Sequence, residues 1–138
     1  MPTTKGEKTG GRPGRDRQIR EIRRRCQAEK IQLVRFLYCG NDGVIRGKAC
    51  HTRFLNSYLE SGIGLTVAMQ SFNMLDQLVP EGSFGPVGEI RLVPDVRTFA
   101  VLTYVPKSAR LLCDMLTDRK STRLNSSHIQ KSRMPSSA

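Results

Sequence analysis

Between Ile31 and Leu116 the spacing of apolar residues changes repeatedly, and each change predicts an element. Ile31 to Tyr38 is an apolar run interrupted only by Gln32 and Arg35, and its β-branched and aromatic residues favour a strand. Gly40-Asn41-Asp42-Gly43 is a turn signal, and Val44 to Ala49 reads as a returning strand, so residues 31–49 form a hairpin. Thr52 can cap a helix over 53–60, where Phe54, Leu55, Tyr58 and Leu59 share a face. Gly62 and Gly64 end it and open a loop. Met69, Phe72, Leu75 and Leu78 recur at helical spacing within 66–79, a stripe that reads as core packing rather than a cofactor box. Pro80-Glu81-Gly82 breaks that pattern, and three strands follow over 88–93, 98–104 and 109–115. In the first, Ile90 and Leu92 point one way and Glu89, Arg91 and Val93 the other, until Pro94-Asp95 closes it with a turn. Asp95 with Thr98 suits the turn to the second strand, and Pro106-Lys107-Ser108 separates the last two.

Hairpin, helix, loop and further strands are satisfied by one sheet with a helix packed on one face, an α+β architecture. Ahead of it, residues 1–15 read as a disordered basic N-terminus and 16–30 as a basic helix. Ile19, Ile22 and Cys26 give that helix a thin apolar stripe among Arg20, Arg23, Arg24 and Arg25. The stripe predicts a solvated helix leaning on the domain; the alternative is a small nucleic-acid-binding module that grips phosphates with these arginines.

Several strings are more specific than their chemistry. Phe84-Gly85-Pro86-Val87-Gly88-Glu89-Ile90-Arg91-Leu92-Val93-Pro94-Asp95 resembles the N-terminal domain of glutamine synthetase and related ATP-dependent amine ligases. Val34-Arg35-Phe36-Leu37, Gly43 to Lys48, Gly62-Ile63-Gly64 and Ala109 to Leu116 occur in that family's order and at similar spacing, so the resemblance covers about residues 30–117. It implies a β-grasp, a sheet curling around a helix, over residues 31–117. It also implies a reaction in which glutamate takes the γ-phosphoryl of ATP and ammonia or another amine displaces phosphate from the γ-glutamyl phosphate. ATP and Mg2+ or Mn2+ would serve the full-length enzyme through a larger C-terminal domain, with none expected on this fragment, which would be inactive alone. The family assembles as stacked homo-oligomeric rings in which a loop of this domain faces the neighbouring subunit's active site.

In glutamine synthetases that loop carries a Gly-x-x-Phe-Asp-Gly-Ser-Ser-like motif whose Asp binds and deprotonates ammonium. Here the matching stretch runs Gly62-Ile63-Gly64-Leu65-Thr66-Val67-Ala68-Met69, with Thr66 in the place of the Asp. Gly64, Leu65 and Thr66 are therefore the candidate substrate-binding residues. A neutral hydroxyl neither attracts ammonium by charge nor serves as its base near neutral pH. The departure favours a different amine, and apolar Leu65, Val67 and Met69 would suit a bulkier one; the alternative is that this loop simply packs and selectivity is set elsewhere.

Charge changes the picture only when divided. The net charge of +11 suggests nucleic acid, but residues 1–30 carry ten Lys/Arg against four Asp/Glu, residues 31–117 eight against seven, and residues 118–138 five against one. The excess belongs to the ends, and the middle is near neutral. Residues 118–128 and 132–138 can be reverse-translated into a widely used short-read sequencing adapter, with 129–131 spanning its variable index. Residues 118–138 therefore read as a non-native, disordered tail with no packed position, and the native protein would continue past Thr117; a native Ser/Arg-rich tail is the alternative.

Candidate chemistry within 31–117 is sparse. There is no P-loop, HExxH or paired carboxylates at helical spacing, and His51 is the only histidine. Arg46 and Lys48 share a strand face that could meet phosphate or an acidic partner, though solvation is the plainer reading. Cys50-His51 with Cys39 and Cys113 could be drawn as a zinc site, but adjacent Cys and His rarely ligate one ion, and buried free thiols are expected instead. Scattered cysteines, a polar N-terminus and no run of membrane-spanning length fit a cytoplasmic protein with no membrane partner.

Overall fold

The computed structural model describes residues 13–82 and 84–117, together with the backbone of 123–124. Its sheet is built around two strands far apart in the chain. β1 (Leu33–Cys39) runs parallel to β5 (Ser108–Leu116), with Leu33 beside Ser108 and Leu37 beside Leu112. β2 (Ile45–His51) flanks β1 on one side; β4 (Glu89–Val101) and then β3 (Ile63–Thr66) extend from β5 on the other. All of these outer pairings are antiparallel.

Alternation decides which face is covered. Val34, Phe36 and Tyr38 of β1, Ile90 and Leu92 of β4, and Ala109, Leu111 and Met115 of β5 are buried. Helices α1 (Pro13–Ala28) and α2 (Leu55–Ser61) add Ile19, Ile22 and Cys26, and Leu55 and Leu59, to the same core. The sheet curls around them almost into a barrel, giving the α+β, β-grasp-like fold that the resemblance implies. Each large side chain fully buried there is worth roughly 1.5–3 kcal/mol relative to exposure.

The stripe of α1 packs as its spacing predicts, but the helix begins at Pro13 rather than Asp16. Proline suits a first helical turn because its missing N–H has no partner to lose. Arg15 then reaches the Leu59 carbonyl at 2.8 Å. The helix stops with Lys30 N–H on Gln27 O and Ile31 N–H on Cys26 O, a Schellman closure. Lys30 takes its left-handed position at φ 53°, where glycine is usual and another residue costs roughly 1–2 kcal/mol.

Four local expectations give way to tertiary partners. The helix after β2 opens as a short 3-10 turn, Thr52–Phe54, and its cap is His51, whose Nδ1 accepts from Arg53 N–H. Thr52 instead donates to Ile31 O at 3.2 Å, pinning the end of β2 to the start of β1. No helix covers 66–79: a 3-10 helix spans Val67–Ser71, and the backbone then folds on itself. Val79 N–H bonds Ser71 O, Asn73 N–H bonds Gln77 O, and the Asn73 side chain accepts from Leu75 and Gln77, so the groups a helix needs are committed elsewhere. Met69 packs against the core, but Leu75 and Leu78 are exposed.

The third difference is β4, one strand where two were expected. Pro94 is buried within it opposite Cys113, and the register with β5 shifts between Asp95 and Ala100. The turn chemistry is real but serves a bulge: Asp95 Oδ1 accepts from Arg97 N–H, and Thr98 Oγ1 donates to Asp95 O at 2.6 Å. Fourth, Arg123–Leu124 form a short β6 pairing with Met115 and Leu116, where no packed position was expected; the remainder of 118–138, and residues 1–12, lie outside the described residues.

Thr98 Oγ1 also accepts from Leu112 N–H at 2.8 Å, so one hydroxyl holds both strands at the bulge. Thr98→Val keeps the shape and orphans both backbone groups. Urea unfolding should show a loss of about 1–3 kcal/mol with an unchanged m-value.

Candidate functional site

Curling brings the two edges of the sheet, β2 and β3, toward each other. Lys48, opposite Phe36 on β1, donates from Nζ to Gly64 O at 2.7 Å. Arg46, opposite Tyr38, forks onto Asp42 through two 2.9 Å bonds and reaches Asp76 Oδ1 at 2.7 Å and Asn73 O at 3.1 Å. Asn41 adds bonds to the Gln70 backbone and side chain at 2.9 and 3.0 Å. The β1–β2 hairpin thus clasps β3 and the segment after it. Arg46 is largely shielded and Lys48 remains exposed to solvent, and both are ties across the seam.

Gly64, Leu65 and Thr66 all lie on edge strand β3. Leu65 is buried in the core, and Val67 and Met69 pack against it, so this apolar trio is spent on packing rather than displayed beside Thr66. Thr66 is exposed, and its Oγ1 accepts from Ala68 N–H at 3.4 Å to start the 3-10 helix. Glu89, which the sequence places on the outward face of its strand, stands directly across from Thr66. Its carboxylate leans over Gly64, where a Cβ would fall 2.5 Å from Oε1. Arg91 approaches that carboxylate at 3.5 Å. The seam therefore displays a neutral hydroxyl, a partly balanced carboxylate and a side-chain-free backbone. Glu89 was missed because only pairing with β3, invisible in the β4 string, brings it there.

Electrostatics at the seam are dominated by Arg46. Its hydrogen bonds hold the Asp42 carboxyl below the usual carboxylate range, and both partners are largely shielded from water, at 12% and 8% side-chain exposure. The thiols behave as ordinary core groups. Burial pushes Cys50 up to about 11 and Cys113 up to about 12, the opposite of a metal-ligating or nucleophilic cysteine. Among the described residues no group of three or more His, Cys, Asp or Glu side chains could hold a metal ion. No described helix is long and apolar enough to cross a membrane.

The arginines of α1 are largely committed locally. Arg24 pairs with Glu21 at 2.6 Å, Arg25 with Glu29 at 3.3 Å and with the ring of Phe99, and Arg23 bonds Asn56. A grip on a nucleic-acid backbone by Arg23, Arg24 or Arg25 would have to break these contacts first.

A curled sheet grasping a helix, with its exposed polar groups at an edge-strand seam, defines a β-grasp-like α+β domain. Residues 18–123 match the family model of the glutamine synthetase N-terminal domain, and the chain belongs to that family. It is 29% identical over 98 residues to a gamma-glutamylanilide synthase from Acinetobacter sp, a match covering 62% of this chain and 20% of that protein. A solved structure described as a novel glutamine synthase homolog is 26% identical, with a TM-score of 0.55 over 64% of this chain and 22% of that one. The ADP complex of GmaS shares the fold at 18% identity, with a TM-score of 0.55 over 70% of this chain and 20% of that chain. The chain thus spans about a fifth of the length of the relatives it matches.

Asp42 gives the seam a pH signature. A carboxyl whose folded pKa is depressed stabilises fully above its unfolded value of about 3.9 and loses that contribution as pH falls through the lower folded value. Asp42→Asn should be less stable than the parent at neutral pH, and the gap should narrow in acid as the parent loses its pair. Urea unfolding followed from about pH 7 down to about pH 2 checks both limbs.

Proposed function

We propose that this chain is the amine-facing portion of an ATP-dependent glutamate–amine ligase whose preferred nucleophile is an organic amine rather than ammonia. The observation carrying this reading is Thr66: exposed at the seam, neutral, and in the place where glutamine synthetases hold the ammonium-binding Asp. The name of the Acinetobacter relative, an anilide synthase, points the same way.

In the reaction, a glutamate side-chain oxygen attacks the γ-phosphorus of ATP and ADP leaves. The amine nitrogen then adds to the acyl carbon, phosphate departs with the C–O electron pair, and the nitrogen gives up a proton. Activation is required because a carboxylate oxygen is a poor leaving group until it is phosphorylated. Mg2+ or Mn2+ would offset charge on the transferring phosphoryl; the described residues lack a ligand set for it, and no step is assigned to them through the metal. Their part is to receive the amine. Gly64, lacking a side chain, lets the Glu89 carboxylate lie over the strand, Thr66 Oγ1 can accept an amine N–H, and that carboxylate supplies modest negative charge nearby. Leu65 serves as the anchor that fixes this strand.

Met74, Leu75, Leu78, Val79 and Val87, all exposed near the seam, form the surface on which the rest of the enzyme or a neighbouring subunit would lie in a homo-oligomeric ring, in a cytoplasmic enzyme. Such a cover would exclude water from the acyl phosphate.

Phosphate release by the product of the complete gene, with glutamate, ATP and either ammonia or a panel of primary amines, tests the reading. At least one organic amine should exceed ammonia in kcat/KM by about tenfold or more. Thr66→Asp should move the preference back toward ammonia. Ammonia as much the best substrate of the parent enzyme would overturn the proposal.

A further inference from the structure

We propose that the cleft between the C-terminal end of α1 and the 3-10 turn ahead of α2 binds a small phosphate-bearing molecule. It measures about 510 Å³, within the range of small-molecule sites. Arg23, Lys30, His51 and Arg53 line it, and no Asp or Glu does. Cys26, Ile31 and Leu55, all buried, form its apolar floor.

Two features mark this cluster, and they meet in one cleft. The first is charge balance. Five guanidinium groups of the described residues sit against carboxylates: Arg24 with Glu21, Arg25 with Glu29, Arg46 with Asp42 and Asp76, Arg91 with Glu89, and Arg97 with Asp95. Arg23, Lys30 and Arg53 line a common cleft without a carboxylate partner among the described residues. Among the described residues Arg23 bonds the neutral Asn56, and Arg53 lies over the Phe54 ring at 4.7 Å. Like charges gathered around one space repel until an anion enters it.

The second is the backbone at Lys30. Its left-handed φ of 53° closes a Schellman motif, the position where glycine relieves strain. A lysine there adds strain and delivers an ammonium to the cleft. Asp76 and Lys107 take a similar left-handed backbone, and of the three only Lys30 lines this cleft. His51 contributes a fixed tautomer: its Nδ1 accepts from Arg53 N–H, so the neutral ring carries its proton on Nε2 as a donor. Forked guanidinium donors and a point-charge ammonium suit phosphate oxygens. The apolar floor suits an organic group attached to the phosphate. A nucleic-acid backbone shares the phosphate chemistry, but it needs cations spread along a track rather than gathered around one cavity.

Titration calorimetry of this chain with pyrophosphate and with phenyl phosphate, at constant ionic strength, tests the site. Saturable one-to-one binding is expected, with a rise in melting temperature. Lys30→Gly separates binding from folding: it should melt at the same temperature or higher and bind at least about tenfold more weakly. Arg53→Gln, on a surface turn, should weaken binding comparably, while Arg20→Gln, outside the cleft, should leave it unchanged. No saturable binding, undiminished affinity in Lys30→Gly, or an equal loss in Arg20→Gln would overturn the proposal. So would a single-stranded oligonucleotide that binds more tightly than either small anion and loses affinity evenly across Arg17, Arg20 and Arg24.

Discussion

Leu33 to Leu37 run parallel to Ser108 to Leu112, joining the first strand of the domain to its last long one. A tight turn cannot close a parallel pair, so everything between must leave the sheet's centre and return. β2 leaves on one side by a hairpin; α2, β3 and β4 return on the other. This one pairing makes β2 and β3 the opposite edges of the sheet and gives the chain between them the helix that the sheet wraps. It also makes the fold depend on non-local contacts, which are slow to form because chain entropy is lost before they reward it.

Two edges facing each other around a curled sheet present a hazard and an opportunity. Open edges carry unpaired N–H and C=O groups that invite foreign strands. Here the gap is bridged by side chains rather than a backbone ladder: Lys48 to Gly64 O, and Arg46, braced by Asp42, directly to Asp76 and Asn73 O. Side-chain ties fix the edge in space while leaving groups on β3 free to meet something else. An edge strand held this way is a reasonable place for substrate-facing chemistry, since its outer side is positioned but not consumed. The core pays for the geometry through Leu65, whose burial sets the orientation of the residues on either side of it.

Much of this was legible from residue order. The hairpin at 31–49, the helix near 53–60, the apolar stripe of Ile19, Ile22 and Cys26, and the alternation of Ile90 and Leu92 follow from periodicity, because burial of one face needs only local spacing. What escaped was decided by distant partners. The 66–79 stripe has helical spacing, but Asn73 and the Ser71–Val79 bond spend its backbone groups within a loop. Pro94-Asp95 and Thr98 carry turn chemistry, yet β5 supplies a continuous partner and the turn becomes a bulge. At the site, Thr66 was visible as a departure from a motif, whereas the nearness of Glu89 and the inward turn of Leu65 depend on which strands pair. Arg46 and Lys48 were seen to share a face, but their partners lie in a segment whose path the string does not reveal.

Family membership settles the scaffold and leaves the chemistry to a few positions. The β-grasp-like core tolerates wide sequence change because it asks only for apolar side chains at alternating places, and at 18–29% identity to its relatives it retains them. The seam is less forgiving, since a carboxylate exchanged for a hydroxyl alters charge, basicity and the desolvation cost of whatever approaches. An ammonium ion, small and strongly hydrated, needs a full opposing charge before it will shed water. A weakly basic organic amine is already neutral near pH 7 and loses little on transfer, so a hydroxyl with a nearby, half-balanced carboxylate is sufficient for it. On the proposed reading, Thr66 dispenses with a device that only a charged nucleophile requires, while Gly64, Leu65 and the ties from Lys48 and Arg46 would maintain the frame that a neutral one still needs.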